Sequence, residues 1–216
     1  MDSERIDVFT ESYSKGFPEY IENLEAEALE EGIPIIRKDS QQMLRFLLTV
    51  KKPKKILEIG TAVGFSTLLM AEYSPKECEI LTVENYAPRI EKAKIHFNRY
   101  DINKKITLHE GDAGEFLKNL EGQFDFVFLD GPKGQYETYL NEILRLMPVG
   151  GILVTDNILK EGEMLESRFA VTRRNRTIHS RMREYLLRLK NEESLENVIW
   201  SSEDGMTLSV KKDTYE

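Results

Sequence analysis

The sequence predicts an α/β fold: a mostly parallel seven-stranded sheet with helices on both faces and an antiparallel hairpin at its C-terminal end. Three observations predict it. From Lys54 onward short apolar runs alternate with helix-length segments; each run stops at a glycine or a carboxylate; and the last two runs are joined by a turn instead of a helix. Parallel neighbours need a crossover of roughly a dozen residues or more, which is what the helical segments supply.

Before that point the chain reads as helical. Leu24 and Ala28 lie on one turn-spaced face, and Met43, Leu44, Leu47 and Leu48 on another, after a break at "EGIPIIRKDS". Residues 1–52 are therefore expected to form a helical cover and residues 53–216 the core of a single domain. The strand candidates are "KILEIG", "EILTVE", "KITLHEG", "FDFVFLDG" and "GGILVTDN". Between them Phe65 to Tyr73, Pro88 to Tyr100, Ala113 to Leu120 and Gln135 to Met147 read as helices, the second with Ile90, Ala93, Phe97 and Tyr100 on one face. A further helix runs from about Arg173 to Lys190, with Ile178, Met182, Tyr185 and Leu189 facing inward, and "NVIWSSEDGMTLSVKK" closes the chain as a hairpin turning at Asp204 and Gly205.

Bulk properties narrow the function. With 216 residues, 40% of them apolar, the chain can bury one sizeable core. No run reaches the roughly 18 to 20 apolar residues of a membrane span, and "MDSERIDVFT" lacks the basic-then-apolar order of a signal peptide, so a soluble cytoplasmic protein is expected, with no membrane partner. The single cysteine, Cys78, is expected to be a small buried residue, and His96, His109 and His179 ordinary surface or partly buried residues without metal spacing. A net charge of -8 argues against nucleic acid binding over the whole surface, and no DNA partner is expected.

In such a sheet ligands bind at the carboxyl ends of the strands, and that edge holds the distinctive residues. The first run ends "EIGTAVGFS", placing Glu58, Gly60, Gly64 and Ser66 at a glycine-containing loop that is not a dinucleotide fingerprint. The second ends at Glu84, which suits a ribose diol, and the third gives Asp112 and Ala113, positioned to meet an adenine ring. A nucleoside without a pyrophosphate fits this set; the plainer reading is a tight turn and helix caps. The fourth and fifth runs end at Asp130 and at Asp156 with Asn157, three oxygen donors that suit Mg²⁺ or Mn²⁺, while Lys133 stands where it can hold a substrate hydroxyl or take its proton. A lone aspartate of this kind is more often a cap or turn former; the joint pattern favours the cation.

"EIGTAVGFS", "VEN", "GDA", "FLDGPKGQY" and "LVTDN" stand in the order and at about the spacing of the cation-dependent O-methyltransferases, and from about Pro34 onward the chain resembles the catechol and caffeoyl-CoA members. The resemblance implies the Rossmann-like fold of S-adenosylmethionine-dependent methyltransferases and a homodimer. It implies S-adenosylmethionine with Ser66 at the methionine end, Glu84 on the ribose, Asp112 and Ala113 on the adenine and Ile36 as cover, Glu58, Gly60 and Asp130 completing the contacts. It also implies Asp130, Asp156 and Asn157 as metal ligands, Lys133 as base with Asp130 beside it in the catalytic set, and methyl transfer to one of two vicinal oxygens. One departure is "GPK", where many relatives have two alanines before the lysine.

The substrate expectation comes from "SRFAVTRRNRTIHSRMR", Ser167 to Arg183, which holds six arginines and no acidic residue; taking this +6 from -8 leaves -14 on the rest of the chain. Arg173, Arg174 and Arg176 are candidate phosphate contacts; helical projection puts Arg173, Arg176 and Arg183 on the outward side and Arg174 and Arg181 at its flank. With "DGPKGQY", the segment resembles the bacterial tRNA methyltransferases that convert 5-hydroxyuridine to 5-methoxyuridine at the anticodon wobble position. The alternatives are a small-molecule catechol or phenylpropanoid methyltransferase and a non-catalytic module that binds S-adenosylmethionine or RNA.

Overall fold

Among the described residues, alternating apolar runs form five strands with parallel pairing, β1 (Lys55–Ile59), β2 (Glu79–Glu84), β3 (Ile106–Glu110), β4 (Phe126–Leu129) and β5 (Ile152–Thr155). The hairpin strands β6 (Leu195–Trp200) and β7 (Met206–Lys211) add an antiparallel edge, giving the order β3-β2-β1-β4-β5-β7-β6. This computed structural model describes residues 8–9, 12–159, 162–201 and 204–213. The predicted turn is present at Gly205, whose φ of 69° suits glycine, while two residues of the connection, 202 and 203, lie outside the described residues.

Among the described residues the helices that cover the sheet are α1 (Glu19–Glu30), α2 (Lys38–Lys51), α3 (Phe65–Tyr73), α4 (Ala87–Tyr100), α5 (Ala113–Asn119), α6 (Tyr136–Leu146) and α7 (Arg176–Asn191). The period of two along each strand divides the core into two layers. Leu57, Ile59, Val127, Leu129 and Leu153 meet Leu117, Leu140, Ile143, Met182 and Leu189 of α5 to α7. Ile56, Ile80, Phe126, Phe128 and Val154 meet Leu24, Leu44, Leu48, Leu68 and Leu69 of α1 to α3. Phe126 and Phe128 are fully buried, so truncating either to alanine would cost on the order of 3–5 kcal/mol.

The strand order reverses between β1 and β4, and the site opens at that switch point. Among the described residues no helix is long and apolar enough to cross a membrane. Cys78 is buried as expected.

Two helix faces differ from the periodicity. In α7 the buried positions are His179, Met182, Tyr185 and Leu189, with Ile178 only half-buried, because His179 turns inward and its Nε2 meets the Glu166 carbonyl at 3.1 Å. In α4 the buried set is Ile90, Ala93 and His96, with Phe97 and Tyr100 half-buried; His96 Nδ1 lies 2.7 Å from the Val63 carbonyl. Both histidines are therefore buried core residues, a correction to the expectation of surface or partly buried ones. The α7 helix also starts three residues later than expected, since the Asn175 N–H bonds to Thr172 and closes a turn first.

Candidate active site

The loop after β1 is shaped by what lies beneath it. Glu58 is fully buried and accepts hydrogen bonds from Ser66 at 2.5 Å, from Thr82 at 2.6 Å and from Thr67. Burial pushes its carboxyl up, against the pull of the three hydroxyls. Ser66 is thus held from below, on the first turn of α3. Gly60 has φ 107°, and a Cβ there would stand 2.2 Å from the Asp130 carbonyl oxygen, so the β1 and β4 loops touch backbone to backbone. Gly64 has φ 86°, and a Cβ would meet the Phe97 ring at 2.6 Å.

Glu84 receives three backbone N–H groups, from Ala62 and Asn85 at 2.9 Å and from Tyr86 at 3.0 Å. Its carboxylate therefore ties the β1 loop to the start of α4, the capping role set against ribose binding in the sequence, while still lining a cavity of about 260 Å³. Gly60, Ala62, Ala113, Asp130 and Tyr139 line the same cavity. Asp112 does not: it is the exposed N-cap of α5, accepting from the Glu115 N–H at 2.9 Å, and its neighbours Gly111 and Ala113 face the cavity instead. Ser66 and Ile36 also lie off this lining. Sequence reasoning missed Arg89 and Tyr139, which line it from helices that no motif marks, while Pro132 of the "GPK" stretch lines it too.

Beyond Asp130 a second cavity of about 790 Å³ is lined by Ile36, Arg37, Lys133, Asn157 and Asp204. The Arg37 guanidinium meets the Asp204 carboxylate at 3.0 Å, joining the cover to the hairpin turn. Lys133 donates to the Asn157 carbonyl at 2.8 Å, and the buried Tyr136 hydroxyl donates to the Gly131 carbonyl at 3.1 Å, which fixes the turn carrying Asp130. A larger groove of about 1010 Å³ between α7 and β6 holds none of the predicted site residues.

Asp130 lines the Glu84 cavity and Asn157 the one that Lys133 lines, and Asp156, next to Asn157 in the chain, lies close enough to Asp130 for their charges to repel. Asn157 adopts φ 57°, a left-handed conformation that asparagine tolerates, and its buried Oδ1 finds no hydrogen-bond donor among the described residues. Burial pushes Asp130 well up, and the Asp156 charge adds to the rise against the pull of Lys133. Burial also pushes Asp156 up to about 6, offset in part by the Ser40 hydroxyl. Two desolvated carboxylates and an orphaned carboxamide oxygen are a donor set that a hard divalent cation satisfies. Among the described residues no group of three or more His, Cys, Asp or Glu could hold a metal, so an ion at these residues depends on the asparagine as third donor.

A family model for O-methyltransferases matches residues 11–212. The chain belongs to this family. A catechol O-methyltransferase from Niastella koreensis is 32% identical over 143 residues, 63% of this chain and 65% of that protein. A caffeoyl-CoA O-methyltransferase from Pinus taeda is 36% identical over 140 residues, 59% of this chain and 51% of that protein. The matched stretch thus spans between about half and two thirds of these curated relatives. Among solved structures, an SAH-bound methyltransferase from Podospora anserina is similar with a TM-score of 0.86 and 26% identity, over 98% of this chain and 95% of that one.

In this O-methyltransferase family chain the raised carboxyls make a pH prediction. Unfolded, Asp156 titrates near 3.8; folded, near 6. Between those values the folded state holds its proton more tightly, and above both it bears the cost of a buried charge, so this contribution to stability is lost as pH rises from about 4 to about 6. In chelator the melting temperature should therefore fall across that window less steeply in Asp156→Asn than in the wild type. Equal slopes would contradict the assignment.

Proposed function

We propose that the protein is an S-adenosylmethionine- and divalent-cation-dependent O-methyltransferase that methylates one of two adjacent oxygens on its substrate. The observation that carries this is the unpartnered Asn157 Oδ1 beside Asp130 and Asp156, with Lys133 on the substrate side and the Glu84-lined cavity on the other. The names of the curated relatives and the SAH-bound neighbour support the same chemistry.

S-adenosylmethionine, when bound, supplies an electrophilic methyl group. A Mg²⁺ or Mn²⁺ held by Asp130, Asp156 and Asn157 supplies a Lewis acid that makes a substrate hydroxyl more acidic. The chain's own residues do the rest. Glu84 is kept oriented by three N–H donors, with lone pairs left for a ribose diol. Ala113 and Tyr139 give an apolar wall for the adenine, and Glu58 acts beneath the loop, orienting Ser66. Lys133 holds the substrate oxygen or takes its proton.

For the substrate we carry forward 5-hydroxyuridine at the wobble position of tRNA, whose 5-hydroxyl and 4-carbonyl are adjacent oxygens. The supporting feature is the arginine segment beside the site. Within it Arg176 donates to the Val171 and Phe169 carbonyls of the segment itself and Arg183 to Met164 just before it, while Arg181 donates to Gly134 and so ties the segment to the loop that carries Lys133. Arg168, Arg173 and Arg174 are exposed. Arg176 is therefore a structural contact as well as a phosphate candidate. A small catechol or phenylpropanoid is the second reading, and the relatives' names favour it at least as strongly. A non-catalytic binding module would have no use for Lys133 together with three oxygen donors.

Replacing Arg173 and Arg174 by alanine should weaken tRNA binding and lower its log-log salt slope by up to about two, while transfer to free 5-hydroxyuridine or a small catechol changes little. An unchanged tRNA slope, with good turnover on a catechol, would favour the small-molecule reading.

A further inference from the structure

We infer that Ser40, on the helical cover, is a positioning residue of the cation site: its hydroxyl orients the Asp156 carboxylate toward Asp130 and Asn157. The inference rests on the cation reading proposed above.

Ser40 is the third residue of α2, and its Oγ donates to Asp156 Oδ1 at 3.1 Å. The two residues are 116 positions apart, and they are 2% and 3% exposed, so water does not compete freely for the carboxylate oxygen. An aspartate carboxylate turns easily about its last torsion. A donor fixed to one oxygen sets the plane of the group and so the direction of the other.

That donor is itself firmly placed. Leu44 and Leu48 anchor α2 in the core at 0% exposure. Its first turn is tied to α1 by Lys38 on Glu25 and by Gln41, whose Nε2 donates to Glu25 at 2.9 Å and to the Ile36 carbonyl at 3.0 Å. The cover therefore reaches past the cavity wall and bears on the ligand set. Hydrogen-bond partners of this kind, which touch a ligand but not the metal, typically hold a 10- to 100-fold share of metal affinity.

The test is Mn²⁺ binding, followed by electron paramagnetic resonance on full-length protein. Ser40→Ala and Ser40→Cys remove the strong donor with little change in volume, and both should bind Mn²⁺ about tenfold more weakly or worse. Their affinity for S-adenosylmethionine in chelator should match the wild type, and their melting temperature without metal should fall by no more than the loss of one buried hydrogen bond brings. Ser40→Thr, which keeps the hydroxyl, should recover most of the Mn²⁺ affinity. Wild-type Mn²⁺ affinity in either folded donor-less variant would overturn the inference, as would parallel losses of metal affinity, cofactor affinity and thermal stability, which mark a structural role. If the wild type itself bound no Mn²⁺, the cation reading would fall, and that result is distinct from a failure confined to Ser40.

Discussion

Asp156→Ala and Asp130→Ala should each lower methyl transfer by about a thousandfold or more, because a Lewis acid at a developing oxyanion contributes several kcal/mol and each of these variants removes a charged member of a three-donor set. The structure also forecasts the sign of the side effect. Asp156 is buried and Asp130 half-buried, and desolvation with neighbouring negative charge raises both, so in the absence of a cation these variants should be as stable as the wild type at neutral pH, or more so. Cofactor affinity separates the two positions. Asp130 lines the Glu84 cavity, whereas Asp156 lies off that lining, so only Asp130→Ala should also weaken S-adenosylmethionine binding. Calorimetry in chelator and turnover at saturating Mg²⁺ give the two readings. An Asp156→Ala enzyme with wild-type turnover would remove the aspartate from the cation site.

Lys133→Ala should lower turnover at neutral pH by roughly 10²- to 10³-fold, within the range of a positioned proton-transfer group. The deficit should shrink as pH rises, because the substrate hydroxyl then ionises without assistance. The lysine reaches the Asn157 carbonyl, so Mn²⁺ affinity must be measured beside turnover to show that the oxygen donors have kept their places. Lys133→Arg decides between the two roles. Recovery of turnover by arginine means that a positive charge holding the oxygen suffices; no recovery means that the group must accept a proton. Unchanged turnover in Lys133→Ala, with chemistry rate-limiting, would leave the residue with a loop role only.

Much of the framework was legible because each strand carries its own boundary signal. The β4 run ends at Asp130 and β5 at Asp156, and in parallel pairing Leu129 stands beside Thr155, so the two aspartates are neighbours as soon as the strands are adjacent. What stayed hidden depends on geometry finer than periodicity. His179 and Ile178 are one residue apart, about 100° around a helix, and only packing beneath the Glu166 carbonyl selects the histidine. Glu58 reads as a loop ligand in sequence, yet β1–β2 pairing places Thr82 beside it and α3 brings Ser66 and Thr67 over it, turning it into a buried support. Asp112 occupies the expected strand end, but its side chain caps α5 and is not part of the cavity lining that its neighbours form. The arginine segment shows the same limit: composition gives six charges, and only the structure shows that Arg176, Arg181 and Arg183 are directed to main-chain carbonyls.

The central claim is that the oxygen donors and the Glu84 cavity form one site that passes a methyl group to one of two vicinal oxygens with the help of a divalent cation. The most direct measurement is transfer of isotopically labelled methyl from S-adenosylmethionine to 5-hydroxyuridine-containing tRNA and to a simple catechol, each with chelator and with Mg²⁺ restored. The account predicts label on at least one acceptor, none in chelator, and recovery on adding the cation. Full transfer in chelator with metal content shown to be negligible, or no transfer to either acceptor by folded protein that binds S-adenosylmethionine and Mn²⁺, would contradict it.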